Sequence, residues 1–182
     1  MLIGILADSH DNIPNLRKAL EIFRARGIET VIHAGDVVAP FTAKVLAAFP
    51  GTVCAVFGNN DGEHAGLGKV LDIVEPPRSL EVSGRAIVVA HDLSQVPDDV
   101  AAKADLVITG HTHEPGIDGE QPVRLNPGEV GGWLTRGMLQ GQDLDGGEDA
   151  PVQPAVPVAQ RDLHVRRLRA QGHHVARSDG RD

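Results

Sequence analysis

The sequence is poor in the features that would suggest a stapled, basic or membrane-bound protein. It has one cysteine in 182 residues, Cys54, so no disulfide framework is available. That cysteine lies inside "TVCAVF", where a buried structural thiol is expected rather than a nucleophile. Basic residues are outnumbered, and the net charge of -8 excludes a general nucleic-acid binder, which would present a basic face. No stable nucleic-acid binding is therefore expected. Small phosphorylated molecules remain suitable partners, because a bound metal can meet their charge. No apolar run approaches the roughly 20 residues that a membrane span requires, and the opening "MLIGILADSH" has no secretory-leader pattern. A cytoplasmic location without a membrane partner is the expectation, and homo-oligomerisation is left open. The length suits one domain with a sizeable core, and no internal repeat is visible.

A second absence is local. Lys, Ile, Phe and Asn supply 23 of the first 135 residues and none of residues 136–182. The segment "GQDLDGGEDAPVQPAVPVAQ" has the composition of a linker. Two explanations fit: a flexible C-terminal extension, or an out-of-frame reading of a GC-rich gene. The chain is accordingly divided into a domain at 1–135 and an atypical tail at 136–182.

Within 1–135 strands and helices alternate. "LIGILA", "ETVIHAGD" and "TVCAVFGNND" read as strands separated by the helices "IPNLRKALEIFRARG" and "PFTAKVLAAFPG". Leu16, Leu20 and Phe23 share one face of the first helix. Farther on, "RSLEVSGRAIVVAHD" predicts a hairpin turning at Ser83-Gly84. "PDDVAAKA" predicts a short helix, and "DLVITGHTH" and "VRLNPG" predict strands. This alternation favours an α/β architecture with βαβ crossovers.

Chemistry-bearing residues collect where the predicted strands end: "ADSHDN", "HAGDV", "GNND", "VVAHD" and "GHTH". Ligands of an open parallel sheet bind outside the carboxyl ends of its strands. The inventory at that edge is Asp8, His10, Asp36, Asn59, His91, His111 and His113. Asp-x-His and His-x-His spacing places alternate side chains on one side of an extended segment, which suits two ligands gripping one ion. Carboxylate, imidazole and amide oxygen match Mn, Fe, Zn or Mg rather than a thiolate-selected metal. Seven ligands exceed one ion and suit two that share a carboxylate. His33 is expected to be structural, and His64 is a candidate substrate contact. His164, His173 and His174 fall in the tail and are expected to be uninvolved.

The ordered set D-x-H, G-D, G-N-x-D, H, G-H-x-H resembles the calcineurin-like metallophosphoesterase superfamily, closest to its small single-domain phosphodiesterases. "ILADSHDN", "VIHAGDV", "VFGNND", "VITGHTH" and "LNPGEVGGWLT" carry the resemblance, which covers Met1 to about Thr135. It implies a two-sheet β-sandwich flanked by helices. One metal would be held by Asp8, His10, Asp36 and His113, the other by Asp36, Asn59, His91 and His111, with Asp36 bridging. The implied cofactors are two divalent ions, Mn first, with Ni, Fe, Zn or Mg as alternatives. The implied reaction is hydrolysis of a small phosphodiester by a metal-bridging hydroxide.

Three departures from the family pattern matter. Many members carry a His where this chain has Asn60, so a His-type proton donor is missing. Asn60 is expected to meet a phosphoryl oxygen instead, and Asp61 to orient His10 or its own loop. Asp36, Asn60 and Asp61 are thus the residues expected nearest the chemistry. Asp92 stands where Gly usually follows the ligand His, as support or as an obstruction beside His91. The tail lacks the family's closing strands, which would leave a sheet edge unprotected. Two rival functions follow from the same resemblance: a phosphomonoesterase or nucleotidase with the same metals, and a non-catalytic scaffold of the same fold.

Overall fold

A computed structural model describes residues 2–134. The expectations for the tail, including His164, His173 and His174, lie outside the described residues. Two sheets are present. The first is all parallel, in the order β1 (Ile3–Leu6), β2 (Thr30–His33), β3 (Thr52–Val56) and β4 (Ile73–Val74). The second comprises β5 (Arg78–Val82), β6 (Arg85–Val89), β7 (Leu106–Ile108), β8 (Gly116–Asp118) and β9 (Val123–Asn126), in the order β5-β6-β7-β9-β8. In it β6, β7 and β9 run parallel, while β5 and β8 pair antiparallel at the edges. The helices are α1 (Ile13–Ala25), α2 (Pro40–Ala47), α3 (His64–Gly68) and α4 (Asp98–Ala101).

The period-2 alternation of the strands builds four layers. Ile32, Val56, Ile87, Val89 and Ile108 face the space between the sheets and pack there with Ile3, Ile5 and Leu106. On β2 and β3 the opposite face carries Val31 and Ala55, which meet Leu16, Leu20 and Phe23 of α1 and Leu46 of α2. On the far side, Val88, Ala90 and Val107 pack with Val96, Ala104 and Val100 beside α4. The result is a helix–sheet–sheet–helix sandwich, as the resemblance implies.

Helix α1 starts where Asn12 accepts a hydrogen bond from the Asn15 backbone N–H, and its buried stripe is Leu16, Ala19, Leu20 and Phe23. The hairpin turn falls on Ser83 and Gly84, both at positive φ, 53° and 72°. Cys54 is buried and free, and burial raises its thiol pKa, so it is not an activated nucleophile. Among the described residues no helix is long and apolar enough to cross a membrane.

Candidate metal centre

All seven candidate ligands meet at one edge. Asp8 follows β1, Asp36 follows β2 and Asn59 follows β3, while His91 follows β6 and His111 follows β7. Because these strands are parallel within their sheets, their carboxyl ends point the same way and both sheets deliver ligands to one place.

The backbone is held in an unusual state there. Asp8, His10, Asp36, His111 and His113 have φ of 52°, 42°, 61°, 67° and 62°. The left-handed region is sparsely populated by residues other than Gly, and such positions cluster at functional sites. Hydrogen bonds fix these turns: Asp8 N–H donates to Gly35 O, His10 N–H to Asp36 O, and His111 N–H to the Asp8 carboxylate.

One group comprises Asp8, His10 and His113. His10 Nε2 lies 3.3 Å from His113 Nε2 and 3.4 Å from Asp36 Oδ2, and His113 Nε2 lies 3.5 Å from Asp8 Oδ1. A second group comprises Asp8, Asp36 and His91. His91 Nε2 is 3.4 Å from Asp36 Oδ2 and 2.8 Å from Asn59 Oδ1, and that amide oxygen is 3.0 Å from His111 Nδ1. Asp36 thus lies beside histidines of both groups. Asp8 also belongs to both, although the resemblance implies it for one metal alone.

The tautomers explain why a cation fits. His91 Nδ1 is 2.9 Å from the Ala34 carbonyl, which only accepts, so this nitrogen carries the proton. Its Nε2 lone pair then faces the Asn59 amide oxygen, another acceptor. In the same way His113 Nδ1 donates to Glu129 Oε2 at 2.9 Å, leaving its Nε2 lone pair aimed at His10 and Asp8. The His91 lone pair and the Asn59 oxygen repel unless a positive charge lies between them. The electrostatics agree: burial first, then the neighbouring Asp36 charge, pushes the Asp8 carboxyl up to about 8. Burial likewise lowers His10, against the pull of Asp36. The donor set therefore fits divalent metal on both sides of Asp36.

Glu129 is a residue that the sequence reading missed. It is buried, and besides His113 it accepts from the backbone N–H groups of Trp133 and Leu134, at 3.0 and 2.7 Å. A carboxylate behind a ligating imidazole fixes its ring and raises its basicity. The "PGE" turn holds that signal, but spacing alone does not connect it to His113.

Of the two supports expected from Asp61, the loop receives it. Its Oδ2 accepts from the N–H groups of Asp36 and Gly58 and its Oδ1 from Val38, at 3.1, 2.7 and 2.6 Å. Gly58 has no room for a side chain, since a Cβ there would strike the Asp36 carboxylate. Asn60 grips Asp36 twice, through its backbone N–H to Oδ1 and its side-chain amide to Oδ2, each at 2.8 Å. Its side chain also lines an open cleft of about 520 Å³ with His10, Val38, His113, Trp133 and Leu134.

Asp92 is engaged by the turn that follows it and by His111. One oxygen caps the turn at Leu93–Gln95 through Ser94 N–H, and the other lies 3.3 Å from His111 Nε2. With Nδ1 of His111 facing Asn59, Asp92 stands behind that ring as Glu129 stands behind His113. His33 is buried and bonded through Nε2 to Ser9, and burial drives its pKa down to about 3, so it stays neutral. His64 stacks on Phe57 at 3.8 Å and reaches Glu75 at 2.9 Å.

Comparisons with known proteins agree with this geometry. Residues 1–140 match the calcineurin-like phosphoesterase superfamily domain, so the chain belongs to that superfamily. Among its relatives is a phosphodiesterase of Methanocaldococcus jannaschii, 39% identical over 145 residues, covering 74% of this chain and 87% of the relative. A solved archaeal phosphodiesterase superposes with a TM-score of 0.69 at 38% identity, over 75% of this chain and 88% of its own. A solved phosphoesterase from E. coli shares the fold, with a TM-score of 0.58 at 24% identity over 71% of this chain and 80% of its own. The superfamily implies divalent metal, and the two groups above are the candidates to bind it.

Proposed function

We propose that this chain is a binuclear metal-dependent phosphodiesterase acting on a small phosphodiester. The observation that carries the reading is the convergence of two imidazole–carboxylate groups on Asp36, with the His91 Nε2 lone pair facing the Asn59 amide oxygen in one of them. Asp8, His10, Asp36 and His113 would hold one ion and Asp36, Asn59, His91 and His111 the other, Mn first, with Asp8 close enough to aid both. Divalent ions bound there would supply Lewis-acid polarisation of a phosphoryl oxygen and would lower the pKa of a water toward about 7. The chain's own residues position this centre: Asn60 and Asp61 fix Asp36 and its loop, Glu129 fixes His113, and Asp92 steadies His111. The phosphodiesterase relatives favour a diester over a monoester. With Mn-loaded protein, bis-p-nitrophenyl phosphate should turn over faster than p-nitrophenyl phosphate. Faster monoester hydrolysis would assign a phosphomonoesterase instead.

Metal binding should release a proton. Asp8, with its pKa near 8, is protonated in the metal-free protein at pH 7 and must lose that proton to serve as a ligand. Affinity then rises with pH until the carboxyl ionises unaided, near pH 8. In the metal-free chain the raised pKa contributes stability below about pH 4 that is lost as pH climbs through 8. Calorimetric metal titrations at pH 7, in buffers of different ionisation enthalpy, should report release of about one proton. A heat independent of buffer would contradict this assignment.

Among the described residues lining the cleft none is a carboxylic acid or a Lys, and its two histidines, His10 and His113, are candidate metal ligands. Asn60 cannot donate at a useful pKa, so turnover should depend steeply on leaving-group acidity. General acid catalysis typically contributes ~10²–10⁴-fold. Asn60→His should therefore raise kcat on alkyl diesters by about tenfold or more, with little change for p-nitrophenol esters. The slope of log kcat against leaving-group pKa measures this, and an unchanged slope would count against it.

A further inference from the structure

The cleft lined by His10, His113 and Asn60 also has an apolar lining. Val38, Trp133 and Leu134 form an apolar wall, and among the described lining residues there is no Lys or Arg. Trp133 and Leu134 are 60% and 69% exposed, unusual for large apolar side chains. The wall is also built. Trp133 N–H donates to Glu129 Oε2, the same oxygen that accepts from His113 Nδ1. The indole lies against Gly131, where an added Cβ would come within 2.8 Å of Trp133 Cδ1. Gly131 N–H in turn donates to Asp8 O at 2.8 Å. Trp133 is thus tied through its neighbours to candidate ligands from both ends.

We infer that Trp133, with Val38 and Leu134, forms a subsite for a planar, uncharged ester group of the diester, an aryl or nucleobase-like ring stacked on the indole. The inference rests on the phosphodiesterase reading and adds the class of substrate. A phosphate held at the metal centre places one of its ester groups over the cleft. Among the described residues the wall offers no cation, which favours a neutral ring there over a second phosphate. A planar ring meets an exposed, backbone-anchored indole through its face.

The protein has a single tryptophan, so its intrinsic fluorescence reports this subsite directly. Metal-loaded protein titrated with diphenyl phosphate should change that fluorescence at about tenfold lower concentration than with dimethyl phosphate. Hydrolysis of bis-p-nitrophenyl phosphate and methyl p-nitrophenyl phosphate is compared in parallel, since both release the same leaving group. Trp133→Ala should reduce the preference in kcat/KM for the aryl diester by about tenfold, mostly through KM, while Trp133→Phe retains most of it. Equal losses on both diesters, or equal fluorescence titrations with both phosphates, would overturn the subsite and leave the phosphodiesterase reading standing. Failure to hydrolyse either diester with metal bound would overturn that reading itself. A change in oligomeric state on Trp133→Ala with unaltered ester preference would assign the wall to a second copy of the chain and also overturn the subsite.

Discussion

Asp36→Ala is expected to weaken metal binding at both sites and abolish diester hydrolysis. Asp36 Oδ2 lies 3.4 Å from both His10 Nε2 and His91 Nε2, between the two histidines. Removing it deprives each ion of an anionic ligand and leaves the ions to repel one another without a charge between them. Loss of a group that merely orients a ligand costs ~10–100-fold in affinity or activity, so loss of the shared ligand should exceed about 100-fold. Elemental analysis after metal loading should fall from two ions per chain to one or none. Asn59→Ala and His111→Ala should be milder, emptying only the second site. Two ions retained by Asp36→Ala would remove the basis for calling this residue the bridge.

Asp61→Ala should cost stability on a comparable scale. The Asp61 carboxylate is buried and accepts from three backbone N–H groups in two different loops. Burial pushes its pKa above the usual carboxylate range, and the three N–H donors offset part of that rise. Leaving buried donors unpaired costs about 1–3 kcal/mol each. Admission of water offsets part of this, so a loss of about 3–5 kcal/mol is expected for the truncation. Asp61→Asn keeps the shape and one acceptor oxygen and should lose less. Chemical denaturation in the presence of chelator separates this effect from metal binding. An unchanged midpoint for Asp61→Ala would show that the two loops do not depend on it. Because the same bonds hold Asp36 in place, metal affinity should fall along with stability.

Much of this arrangement is legible in the sequence because the ligand motifs and the strand ends coincide. Asp8, Asp36, Asn59, His91 and His111 each follow an apolar run long enough to declare itself a strand, and the sheets do the rest. Helix α1 is equally plain, since Leu16, Leu20 and Phe23 recur at helical spacing and all are buried. The elements that escape notice are short. Strand β4 is two residues long, and β8, at Gly116–Asp118, is exposed on every residue, so neither carries an apolar period. Helix α3 spans "HAGLG", whose two glycines argue against a helix.

The supporting residues are harder to read than the ligands. Glu129 reaches His113 across 16 positions, and Asp92 reaches His111 across two different strands of the second sheet. Nothing local distinguishes such carboxylates from solvated loop acids. Asn60 shows the converse. Its substitution for a familiar His is visible at once, yet only the structure reveals that its amide grips Asp36. Its neighbour Asp61 could have served His10 or the loop, and three backbone donors decide for the loop.

The most direct test of the binuclear phosphodiesterase reading is a metal titration. Chelator-stripped protein is supplied with increasing Mn²⁺ while bound metal and hydrolysis of bis-p-nitrophenyl phosphate are measured together. Activity should be absent without metal and should plateau as the second ion per chain is filled. Hydrolysis that ignores metal, saturates at a single ion, or stays absent with both sites occupied would contradict it.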